Sequence, residues 1–385
     1  MTVATIRRLD LTDADYSPDV QIRIRAADPV YEAFCQIGQY PFEFKINLTK
    51  DDMKNICHGL QARLEDLRIA FDEGETDTAA QKHALNSLAE EGRNALLRIF
   101  APEKVRQRIE SAFLSSDRLI VQFTSEAFSI PWDALYCRDL SLPRSFEYFL
   151  GMRHIVSRIL VISTNGDDLP PGHLIRTDLP VLGLLSNKEL DSLIKIELPF
   201  FEGRAQLNQI VLKHLDKELD PDKDGDIQHV RRFLNKRHDI LHFACHADYE
   251  ENSGPLFVIT REFGVTLKKL VANKCHVQGN PVIFLNACRT SEVEPTYFSG
   301  LARHFLGSGA RGLIATECEV PDTFAAEFSK WVYTKFLKGK ALGECVFDAR
   351  RHFLTKFKNP LGLIYSLYGP PSVRLKMEEK TNGSN

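Results

Sequence analysis

Two side chains able to do covalent chemistry stand at matching places in two apolar runs. The stretch His238-Asp239-Ile240-Leu241-His242-Phe243-Ala244-Cys245-His246-Ala247 reads as a strand that ends in small and polar residues and carries His246 at its C-terminal end. Asn280-Pro281-Val282-Ile283-Phe284-Leu285-Asn286-Ala287-Cys288-Arg289-Thr290 does the same with Cys288, 42 residues downstream. Both runs lack polar alternation, as expected of central parallel strands covered on two faces. Ligands and reacting groups gather at the C-terminal edge of such sheets. A Cys and a His on adjacent strand ends can form a thiolate–imidazole pair, which activates a cysteine nucleophile. Taken alone, Cys288 also reads as a buried thiol closing a strand. His242, four residues before His246 and on the same face, reads as a packing histidine whose hydrogen bonds are satisfied.

Other constellations were weighed against these. His238, His242, Cys245, His246, Cys275 and His276 could be taken as a zinc site, but ligands crowded on one strand do not follow structural zinc spacings. Asp220-Pro221-Asp222-Lys223-Asp224-Gly225-Asp226-Ile227 resembles the start of a calcium loop, yet its twelfth position is Arg231, a cation where a bidentate carboxylate is needed. It reads either as an acidic turn or as a weak calcium site. The literal G-x-G-x-x-G at Gly307–Gly312 follows a helix and precedes a strand. That is the reverse of the phosphate-binding order, so it reads as a helix C-cap.

The elements that must position the pair follow a strand–helix–strand rhythm. Strands are expected at 181–185, 239–244, 281–286 and 313–315, with helices at 203–219, 227–236, 297–306, 322–336 and 341–357. Ahead of them come strands at 21–26, 41–48, 118–123 and 159–162 and helices at 51–71 and 81–99, with a Pro-rich linker at 164–178. This predicts an α/β protein with a mostly parallel sheet flanked by helices, preceded by a mixed α/β lobe. Residues 1–165 form the N-terminal lobe, 176–377 the catalytic domain and 378–385 a tail.

With 385 residues, 43% of them hydrophobic and 26% charged, the chain has an ordinary soluble composition. Its net charge of −3 gives no excess to draw it to nucleic acid. No apolar run reaches the roughly 20 residues of a membrane span, and the N-terminus lacks a secretory leader, which predicts a cytoplasmic protein. The eight scattered cysteines, without C-x-x-C pairs, fit a reducing compartment.

Residues 241–247, the Asn286–Thr290 stretch and the later Gly309-Ala310-Arg311 and Val320-Pro321-Asp322 resemble the CHAT family of caspase-like peptidases, related to caspases and separases. Upstream Ile130-Pro131-Trp132-Asp133 and the terminal 365–375 join the resemblance, which covers most of the chain from about Arg118. It implies a caspase-like fold and a cysteine endopeptidase without metal or organic cofactor. His246 would be the general base and Cys288 the nucleophile, with the N–H groups of Ala247 and Cys288 as the oxyanion hole. Asn286, Asp248, Glu319 and Asp322 would line the substrate site, with Glu317 in the same loop. The sequence departs from the family at Ala247, where Gly is usual, at Cys318, where Trp is frequent, and at Arg289, where Glu or Gln is usual. The resemblance also implies a protein substrate, an activating protein partner or processing step, and a setting in prokaryotic antiviral defence. The alternative is a catalytically silent CHAT-like interaction module.

Overall fold

Alternating apolar residues on the central strands divide between two cores, one on each face of the main sheet. The computed structural model describes residues 17–27, 30–72, 78–115, 117–125, 130–161, 172–187, 189–215, 219, 226–250, 254–260, 263–287 and 297–378. The chain opens with β1 (Val20–Ala27), β2 (Val30–Ile37) and β3 (Tyr40–Ile46), then α1 (Lys50–Ala70), α2 (Thr78–Ile99) and α3 (Glu103–Phe113). Next come β4 (Ile120–Ser125), the single turn α4 (Leu150–Arg153), β5 (Ile155–Leu160), β6 (Leu174–Thr177), β7 (Val181–Ser186), α5 (Leu198–Gln206) and β8 (Val211–Leu215). After α6 (Ile227–Leu234) follow β9 (Ile240–Glu250), β10 (Gly254–Thr260), β11 (Phe263–Thr266), α7 (Leu267–Ala272) and β12 (Val282–Ala287). The last elements are α8 (Tyr297–Gly307), β13 (Gly312–Thr316), α9 (Asp322–Phe336), α10 (Leu342–Phe357), β14 (Tyr365–Tyr368) and β15 (Arg374–Met377).

Among the described residues thirteen strands join in one sheet, and β6 pairs with β15 apart from it. Its middle, β8-β7-β9-β12-β13, is parallel, as the unbroken apolar runs require. β14 closes it antiparallel to β13 and passes the sheet on, in parallel, to β5, β4 and β1 of the N-terminal lobe. Ile240, Ala244, Val282 and Phe284 face the core shared with α1, α2, α9 and α10. Leu241, Phe243, Cys245, Ile283 and Leu285 face the second core under α6 and α8. Each such buried side chain is stabilised by roughly 1.5–3 kcal/mol relative to exposure.

Local sequence explains the framing helices. Thr49 caps α1 by accepting from the Asp52 N–H at 3.2 Å, while the Asp52 carboxylate accepts from the Thr49 N–H at 3.0 Å, a complete capping box. Met53, Ile56, Leu60, Leu64 and Leu67 then recur at helical spacing and are buried. Gly309 adopts φ +102° in the turn after α8, and the Ala310 N–H returns to the Phe305 carbonyl at 3.0 Å. The glycine run is thus a helix C-cap leading into β13, because only glycine takes this conformation without strain.

Three expectations need correction. The helix expected at 203–219 ends at Gln206. Asn208 turns left-handed at φ +52° and residues 211–215 form β8, because pairing with β7 outweighs local helix propensity. The expected linker contains β6, which pairs with β15. β9 does not stop at His246 but runs to Glu250, pairing antiparallel with β10.

A buried ionic seam joins the two halves. The Arg158 guanidinium on β5 lies 2.6 Å from Glu317 and 3.3 Å from Asp133, and Arg350 on α10 lies 2.8 Å from Asp133. Arg158 also donates to the Ser366 and Tyr368 hydroxyls at 2.5 and 3.0 Å. Next to Asp133, Trp132 stacks on Phe123 at 4.1 Å.

Candidate active site

Parallel pairing of β9 with β12 runs from Ile240↔Val282 to Cys245↔Ala287. The residues that directly follow this last pair in sequence are His246 and Cys288. His246 is partly buried and its β9 backbone pairs with Val258 of β10, so β9 leaves one ladder and enters another at the candidate base. Cys288, Arg289 and Thr290 lie outside the described residues, as do the 220–225 turn and residues 73–77. Ala247 and Asp248 continue β9 opposite Phe257 and Leu256, and their side chains lie outside the described set.

Immediately beneath lies a buried polar network that sequence reading missed. Glu197, at the end of the π turn Leu193–Glu197 that runs into α5, is 2% exposed. Its Oε1 accepts from His242 Nε2 at 3.1 Å, Asn286 Nδ2 at 3.0 Å and Ser329 Oγ at 2.6 Å. The Tyr333 hydroxyl lies 3.0 Å from His242 Nδ1, and the Tyr365 hydroxyl donates to Asn286 Oδ1 at 2.9 Å. His242 is therefore a buried histidine bonded through both ring nitrogens, as its place on the strand suggested. Burial by itself would raise the Glu197 pKa, but the attraction of His242 and the hydrogen bonds from His242, Ser329 and Asn286 outweigh it and hold the carboxyl below its ordinary value. Burial first, and then the Glu197 charge, push the Tyr333 hydroxyl and the Cys245 thiol up. No run of residue types marks Glu197, because its partners come from β9, β12 and α9.

The structure disperses the other candidates. Asn286 is 3% exposed with its amide engaged by Glu197 and Tyr365. Glu317 pairs with Arg158 and accepts from Gln61 of α1 at 3.4 Å. Glu319 lies 3.7 Å from Arg68 of α1, a cation that also meets Glu65 at 2.7 Å and Asp72 at 3.2 Å. Asp322 opens α9, with Pro321 as the capping residue, and is the acidic residue of the first turn. Of the residues weighed for zinc, Cys245 and Cys275 face the second core while His242 faces the first. His238 packs on Phe233 at 5.0 Å near the opposite sheet edge, where burial, with Lys213 adding, pushes its pKa down to about 4. A further pair at the candidate edge is Ser186 at the end of β7, whose Oγ lies 2.7 Å from Nε2 of His214 on β8. Among the described residues no helix is long and apolar enough to cross a membrane.

Comparison with known proteins agrees with this architecture. A protein named "Probable protease" from Vitiosangium sp. is 25% identical over 257 residues, covering 63% of this chain and 31% of that protein. The separase of Saccharomyces cerevisiae, solved in a separase–securin complex, aligns with a TM-score of 0.50 at 10% identity over 93% of this chain and 30% of that one. A second separase–securin structure gives 0.45 at 11% identity. The chain thus spans about a third of the length of these relatives and shares the separase-type α/β fold with the first separase structure. The CHAT domain profile matches residues 90–361, which is most of the chain and includes β9, β12, Glu197 and the three side chains that donate to it. This chain therefore belongs to the CHAT domain family.

Proposed function

We propose that the chain is a cysteine endopeptidase with His246 as general base and Cys288 as nucleophile. The observation that carries this reading is the Cys245↔Ala287 register, since His246 and Cys288 are the next residues in sequence after that pair. His246 takes the thiol proton and the thiolate attacks the scissile carbonyl, whose oxyanion accepts from the Ala247 and Cys288 N–H groups. The imidazolium then protonates the leaving amine and the S-acyl enzyme forms. Water attacks it with His246 again as base, returning thiol and carboxylic acid. Nothing in this sequence of steps requires a metal or organic cofactor.

Residues 176–377 serve as the catalytic unit and 1–165 as a lobe that completes and regulates it, with 378–385 a tail. The substrate is a protein, and Glu319 and Asp322 after β13 favour a basic residue before the scissile bond, since a carboxylate in a partly desolvated pocket discriminates strongly by charge. Asp248 lies two residues beyond His246 on β9, and Asn286 acts through its neighbours because its amide is engaged. Activation comes from a protein partner or processing, in a cytoplasmic defence role. A positional-scanning peptide library, screened with a Cys288→Ala control, tests the reading. Cleavage after Arg or Lys that the control abolishes is expected, and cleavage unaffected by the substitution overturns the dyad.

A further inference from the structure

We propose that Glu197 is a positioning residue for the dyad, holding the ends of β9 and β12 together and placing one fixed negative charge behind them. This rests on the reading of His246 and Cys288 given above. Three facts lead to it. Glu197 bonds to both strands at once, to His242 on β9 and to Asn286 on β12, and these residues stand four before the base and two before the nucleophile. The alternation of side chains places His242 and Ala244 on the face of β9 that also takes His246, and Phe284 and Asn286 share one face of β12. Among the described residues the partners of this buried carboxylate are an imidazole, an amide and a hydroxyl, none of them a Lys or Arg cation.

A carboxylate accepts only, so the three donors fix its orientation and the Asn286 amide cannot turn without breaking bonds to Glu197 and Tyr365 together. Titratable neighbours are His242 and Cys245 on β9 and Tyr333 on α9, while His214 on β8 is engaged by Ser186. A buried negative charge disfavours a nearby thiolate and favours a nearby imidazolium. Removing it lowers both apparent pKa values of the pair, whatever the separation.

The test is the pH dependence of Cys288 carboxamidomethylation by iodoacetamide in the full-length protein, read by peptide mass spectrometry for wild type, Glu197→Gln and Glu197→Asp. Glu197→Gln keeps an acceptor of the same shape and removes the charge, so the midpoint moves to lower pH. Glu197→Asp keeps the charge one methylene further back, so the midpoint stays while the rate falls several-fold. A Glu197→Gln profile that coincides with wild type overturns the inference, as does one that loses rate with no change of midpoint. If Glu197→Gln does not fold, Asn286→Ala carries the test. It severs the link to β12, with an expected rate loss of about tenfold, and an unchanged rate overturns the inference. A wild-type Cys288 no more reactive than an ordinary thiol would instead overturn the dyad, so the two failures are distinguishable.

Discussion

Two buried charged networks sit at different places on the same sheet, and their compositions differ. At the seam, Arg158 and Arg350 face Asp133 and Glu317, two fixed cations against two carboxylates. Beneath the strand ends, Glu197 meets an imidazole and neutral donors. Arginine stays charged at every pH a protein survives, so both carboxylates of the seam always face a cation, and the seam ties β5 to the loop after β13 and to α10. The Glu197 network has no guanidinium and contains a histidine, the side chain whose charge most readily changes near neutrality. Two fixed cations against two carboxylates suit a structural joint, whereas a carboxylate held by an imidazole and neutral donors suits a place that must position reacting groups.

The largest expected effect comes from breaking the seam. Arg158→Ala leaves Glu317 and one oxygen of Asp133 buried without their cation, which should cost about 3–5 kcal/mol of folding stability in urea denaturation. A loss below about 1 kcal/mol would mean that the seam is not what joins the halves. Replacement by Met tests the same point in the other direction, since Arg158→Met retains bulk and should fail almost as badly while both carboxylates remain.

A buried group outside both networks sharpens the contrast. His238 has a folded pKa near 4 against about 6.5 unfolded. The unfolded chain therefore binds the proton more tightly, so the contribution of neutral His238 is complete above about pH 6.5 and is lost as pH falls toward 4. The loss is on the order of 2–3 kcal/mol. His238→Phe should flatten stability over that window, and an equally steep acid limb in the variant would assign the effect elsewhere.

The smallest effect belongs to the exposed margin of the loop after β13. Arg68 already meets Glu65 and Asp72, so Glu319→Ala should change the melting midpoint by no more than the equivalent of about 0.5 kcal/mol. Its expected consequence is functional, a weakened preference for basic peptides. A large loss of stability with unchanged preference would make Glu319 part of the structural joint.

How much of this was legible depended on chain distance. α9 was read at its observed bounds because Asp322 follows a proline and Phe324, Phe328, Val332 and Phe336 recur at helical spacing. The strands β9 and β12 were legible as buried apolar runs, and their adjacency followed from parallel topology. β8 was misread because its five residues continue a helix-like pattern and only pairing with β7 makes them a strand. The β10–β11 hairpin and the extension of β9 beyond His246 were missed for the same reason, since their stability lies in mutual pairing. Glu197 was invisible because its three donors lie 45, 89 and 132 residues away, and no local pattern encodes such convergence. The Asp133 partner in the Ile130–Asp133 motif was legible only as part of a resemblance, and its role in the seam emerged from packing.

The most direct test of the account is the selective reactivity of Cys288 and its dependence on His246. In iodoacetamide at pH 6, where an ordinary thiol of pKa about 8.5 is almost wholly protonated, wild-type protein should be modified at Cys288 well before its seven other cysteines. His246→Ala should slow that modification at least tenfold while the thermal unfolding midpoint stays close to wild type. Modification of Cys288 no faster than that of the other cysteines, or at the same rate with and without His246, would contradict the account.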